Sequence, residues 1–136
     1  MLKHKQIKNT SNNLDLNVVV SDWIRWLSLE KRFSPHTVSA YKRDLSVFLD
    51  FLTEHQGSSA SIKMLSQLKT TDFRSYLANK KSKGLSATSL ARSISTVRNF
   101  YRFLEINSIS HNPVINNIRS PKRPHSIPKP IKPDEA

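Results

Sequence analysis

The stretch SATSLARSISTVRNFYRFL, residues 86–104, carries Leu90, Ile94, Val97, Tyr101 and Leu104 at steps of 4, 3, 4 and 3. That spacing is the one-sided apolar stripe of an α-helix, and Ser86 stands where an N-cap hydroxyl would accept from the first free amides. A strand would need alternation by two, which no part of the chain sustains, so the fold is expected to be all-α. The same reading extends outward. Ser34-Pro35 opens a second stripe, Val38, Tyr41, Leu45, Phe48 and Leu52, ending near His55-Gln56-Gly57. An earlier helix is expected over about residues 16–31, with Val19, Val20, Trp23, Ile24 and Leu27 as its apolar side. A further helix begins at Thr70 or Thr71, packs Phe73, Tyr76 and Leu77, and stops at Lys83-Gly84. Between them, a polar loop at residues 58–61 followed by Ile62, Met64, Leu65 and Leu68 reads as a connection. After Asn107 comes a short turn, SISHNPVINNI. Four main helices result.

With 136 residues the chain is about the size of one domain. No stretch approaches the roughly 20 apolar residues of a membrane span, and the basic, polar start MLKHKQIKNTSNNLD lacks the apolar core of a secretory signal. The absence of Cys excludes disulfides, thiolate zinc sites and cysteine nucleophiles, and fits a reducing, cytoplasmic compartment. Residues 1–13 read as disordered, 14–118 as the helical domain and 119–136 as a linker. Six of the seven Pro lie between 113 and 133, which makes the tail an extended, polyproline-like segment. A globular protein seldom finishes that way, so more chain is expected to follow.

Lys and Arg number 22 against 10 Asp and Glu, a net charge of +12 that calls for a polyanionic partner. Its placement says more. No acid lies between Asp72 and Glu105, while Arg74, Lys80, Lys81, Lys83, Arg92, Arg98 and Arg102 do. Mixed signs would serve solubility equally well, so an acid-free face points to nucleic acid, with an anionic membrane surface as the main rival. At about 100° per residue, Arg92, Ser95, Asn99 and Arg102 fall opposite the stripe of the last helix, with Thr88 beside them and Arg98 on the flank. Arg and Asn suit guanine and adenine edges, and Ser and Thr suit phosphate oxygens. Thr37, Lys42 and Arg43 on the second long helix are further candidates. Arg92 lies off the core stripe, so Arg92→Ala is expected to leave stability within about 0.5 kcal/mol.

Catalytic constellations are missing from the pattern. The five His are scattered without metal-ligand spacing and read as surface residues; no Gly-rich phosphate loop or paired carboxylates occur, so no cofactor or metal is expected. Tyr41, Tyr76 and Tyr101 all sit on apolar stripes and read as packing residues with wet hydroxyls. Trp23 and Trp26 lie on neighbouring faces of one helix, so at most one is central to the core.

Three segments carry a family resemblance: FSPHTVSAYKRDLSVFLDFL (residues 33–52), TTDFRSYLANKKSKGLSATSLARSISTVRNFYRFL (70–104) and ISHNPVINNIRSPKRPHSIPKPI (109–131). Ser34, Thr37, Tyr41, Asp44 and Leu45 form one motif. Thr88 and Arg92, the run from Arg98 to Leu104, Asn112-Pro113 and Pro121-Lys122 complete it. Together they resemble the N-terminal core-binding domain of tyrosine recombinases, nearest the bacterial Xer type and XerC-like more than XerD-like. The resemblance implies an orthogonal SAM-like bundle of four main helices that forms half of a clamp on double-stranded DNA. Lys122 joins the implied DNA-binding residues. It also implies a catalytic domain beyond residue 136, so this chain alone would not cut DNA. In the full-length protein a related recombinase would share a tetrameric synaptic complex that resolves chromosome dimers at cell division. A phage-type integrase, a free-standing helical regulator and a helical protein-interaction module remain as alternatives; the last would show no salt-dependent duplex binding.

Overall fold

A computed structural model describes residues 15–119. Within them the chain forms α1 (Leu16–Leu29), α2 (Pro35–Gln56), α3 (Ile62–Gln67), α4 (Thr70–Ser82) and α5 (Ala87–Ile106), then a 3-10 turn, Pro113–Asn117. The all-α expectation holds. The four main helices are there, and α3 is an addition, because a six-residue helix is too short to show periodicity in a sequence. The expected disordered start and the Pro-rich linker, with Lys122, lie outside the described residues apart from Arg119.

Helix starts follow local chemistry. The side chains of Ser34, Ser61 and Ser86 accept from the backbone amides of Thr37, Met64 and Ser89 at 3.1–3.2 Å. The Asp15 carboxylate accepts from the Asn17 amide at 2.9 Å. In α4 the order is reversed: the N-cap Lys69 supplies only its backbone N–H, which donates to the Asp72 carboxylate at 2.8 Å. At the other end, α2 closes on Gly57 in the left-handed region (φ 77°). α1 stops two residues earlier than its stripe suggested. Arg32 takes a positive φ of 56°, and the Phe33 amide donates back to the Leu27 carbonyl at 3.0 Å, which ends the helix without a glycine to announce it.

α2 and α5 make the most extensive helix pairing, and α1 and α4 pack beside them. The stripe Leu90, Ile94, Val97, Tyr101 and Leu104 is buried throughout, and so are Val38, Leu45, Phe48 and Leu52 of α2. Of the two tryptophans, Trp23 is the central one. It is fully buried, with Tyr41 stacked 6.4 Å away and Phe100 edge-on at 5.2 Å. Trp26 is half-buried against Phe103, at 5.3 Å, under the Lys31 ammonium.

Two tyrosine hydroxyls are dry, contrary to expectation. That of Tyr101 donates to the Leu65 carbonyl at 2.7 Å, and Asn112 Nδ2 donates to the Leu65 and Leu68 carbonyls, each at 3.0 Å, so both side chains pin α3 from behind. The hydroxyl of Tyr76 is buried without a full hydrogen bond among the described residues. Burial raises both phenols above their ordinary value. The sign follows. Each favours the folded state fully below the ordinary tyrosine range, near pH 10, and that stability is lost as the pH climbs beyond it. In alkaline titration the late tyrosinate absorbance should therefore rise together with the loss of helical circular dichroism. Ionisation of Tyr76 and Tyr101 with the helices intact would contradict the burial.

Candidate nucleic-acid interface

The outer side of α5 follows directly from its buried stripe. Thr88, Arg92, Ser95 and Arg102 are exposed, and Arg98 and Asn99 are half-buried on the same side. On α2, Lys42 and Arg43 are exposed; Thr37 is half-buried in the first turn, where its hydroxyl meets Ser34 Oγ at 3.1 Å. α2 packs on α5. The join is an ion pair. Arg92 Nε donates to Asp44 Oδ2 at 2.9 Å and Nη2 to Oδ1 at 3.1 Å, across 48 residues of sequence. Asp44 is buried, while half of the Arg92 side chain meets solvent. The Thr96 hydroxyl lies 3.3 Å from Oδ2 and 3.1 Å from the Arg92 carbonyl, so its single proton is shared between them. The hydrogen bond and then the charge of Asp44 raise Arg92 above its ordinary value against a smaller desolvation effect.

Two more residues of the expected face have inward partners. Trp23 Nε1 donates to Asn99 Oδ1 at 2.8 Å. The bidentate recognition of adenine expected of Asn99 needs that oxygen free, so only its NH₂ remains for a ligand. Arg98 Nη2 donates to the Ile118 carbonyl and ties α5 to the chain beyond the 3-10 turn. Together Ser95, Arg98, Asn99, Arg102 and the acidic Glu105 line a depression of about 380 Å³, with Asn112, Ile115 and Asn116 completing it.

Residues 20–107, well over half of the chain, match the family described as phage integrase, N-terminal SAM-like domain. The chain belongs to that family. Curated relatives agree with the match. The tyrosine recombinase XerC of Mesorhizobium japonicum is 37% identical over 122 residues, covering 90% of this chain and 39% of its own length. That of Brucella suis shows the same identity and coverage. The XerC of Rickettsia prowazekii is 37% identical over 127 residues, covering 90% of this chain and 41% of its own. The chain thus spans about two fifths of the length of these relatives. No solved structure matches it.

The SAM-like domain keeps Lys42, Arg43 and Arg102 outside every ion pair among its described residues. It withdraws three groups that the sequence offered as open: Arg92 in part, Arg98 and Asn99. The expectation that Arg92 is an ordinary surface residue is corrected by Asp44, whose buried carboxylate depends on it. In the sequence Asp44 stands out only as a motif member. The signal was a lone acid immediately before Leu45 on the core stripe. Histidines are on the surface as expected where described, although His55 is engaged, 3.1 Å from the Asp72 carboxylate and stacked on Phe51 at 5.0 Å. No group of acids and histidines that could hold a metal occurs among the described residues, and none of the helices there is long and apolar enough to cross a membrane.

Proposed function

We propose that this domain is the DNA-binding arm of a site-specific tyrosine recombinase of Xer type. The observation that carries the reading is the outer side of α5, which has no acid before Glu105 in its last turn, together with the exposed Lys42 and Arg43 on the neighbouring α2, in a domain whose relatives are tyrosine recombinases. The unpaired cations neutralise phosphates of duplex DNA. Ser95 and Thr88 add hydroxyl donors, and the groups held from beneath give the face a fixed shape. Cutting and rejoining belongs to a catalytic domain beyond residue 136, working in the cytoplasm in a tetramer with a related recombinase, to resolve chromosome dimers at division.

Half of a clamp supplies phosphate contacts and few base contacts, so binding by the 136-residue chain is weak and steeply salt-dependent. If about four to six phosphates are neutralised, log K against log salt should slope near roughly −4 to −5. Fluorescence anisotropy on a labelled duplex measures this. A flat response, or no binding at low salt, rejects the reading.

A further inference from the structure

We propose that Asp44 is a specificity-determining residue for duplex DNA: it binds one edge of the Arg92 guanidinium and leaves the other edge as a fixed fork for guanine. The proposal rests on the duplex-binding reading. A guanidinium carries five N–H donors in one plane. Asp44 takes the side-on pair, Nε at 2.9 Å and Nη2 at 3.1 Å. The end-on pair, Nη1 with the second hydrogen of Nη2, has no acceptor among the described residues. It belongs to a side chain 49% exposed, against 8% for Asp44. Two parallel N–H donors in that geometry match guanine O6 and N7 in the major groove.

The choice of a base over a phosphate comes from the charge. A phosphate is held best by a cation free to act as one, and the charge of Arg92 is offset by a carboxylate 2.9 Å away. What the carboxylate adds is direction, because it fixes the guanidinium plane before any ligand arrives. Lys42, Arg43 and Arg102, exposed and outside the described ion pairs, are the residues left to attract phosphates. The two helices therefore divide the labour: Arg92 of α5 reads, and the unpaired cations of α2 and α5 hold.

The test selects bound duplexes from a library of short randomised sequences, with the wild-type chain and the variants Asp44→Asn and Arg92→Lys. The wild type should enrich guanine at one position by about tenfold. Asp44→Asn should lower that preference to about twofold or less, while affinity for random duplex holds or rises, because a carboxylate charge has left a face that binds a polyanion. Arg92→Lys keeps Asp44 paired but has no fork, and should lose the preference with the salt slope unchanged. Guanine preference that survives either Arg92→Lys or Asp44→Asn overturns the proposal. If thermal melting shows that Asp44→Asn does not fold, Asp44→Glu, which keeps the carboxylate but displaces the fork, takes its place, and an unchanged preference in it overturns the proposal. Duplex binding by the wild type with no base preference overturns this inference and leaves the broader reading standing. No duplex binding at all rejects both.

Discussion

Trp23→Ala should lower the unfolding free energy by about 3–5 kcal/mol, the range for deleting a fully buried aromatic side chain. A domain of this size holds only about 5–15 kcal/mol in total, so the variant should be near the edge of folding at room temperature. Three losses combine. The indole is completely buried, it packs between Tyr41 and Phe100, and its N–H serves Asn99 Oδ1. Urea unfolding followed by circular dichroism measures the sum. Trp23→Phe separates the parts: it keeps most of the packing and loses the hydrogen bond, so about 1–2 kcal/mol should go. A Trp23→Ala variant within about 1 kcal/mol of wild type would mean that α1 is not docked on α5 as described.

Arg92→Ala should cost about 2–4 kcal/mol, several times what its position off the apolar stripe suggests. The cause is the partner left behind. Asp44 is buried, and after truncation its carboxylate keeps, among the described residues, only the shared proton of Thr96. Stranding one member of a buried pair costs more than the pair contributes. Solvent reaching half of the Arg92 side chain keeps the figure at the lower part of the usual range. A double-mutant cycle with Asp44→Ala decides the matter. The double variant should be more stable than the two single losses add up to, because no orphaned charge remains. Strict additivity would show that the pair does not couple α2 to α5.

These two residues also mark where the sequence was legible and where it was not. The long helices declared themselves through period and punctuation: Ser34-Pro35 before α2, Ser86 before α5, Gly57 and Gly84 after helices. Each signal is local, so it survives in a linear reading. The end of α1 did not, since the residue at positive φ there is Arg32, a side chain with no preference for that conformation. α3 was hidden by its length. The site suffered most, because its organising bonds span 48 residues from Asp44 to Arg92 and 76 from Trp23 to Asn99. A helical projection states which way a side chain leaves its own helix. It does not reveal that a carboxylate or an indole from another helix meets it there.

The pins on α3 bear on how the chain matures during synthesis. The carbonyls of Leu65 and Leu68 receive their side-chain donors from Tyr101 and Asn112, which the ribosome adds 36 and 44–47 residues later. At about 5–20 residues per second, the nascent connection between α2 and α4 waits seconds for those donors. Until then α1 and α2 can pair, but the segment after Gly57 has nothing to lock it. The final turn around Asn112 thus acts as the latch of the domain, and the exposed side of α5 acquires its finished wall in the same event.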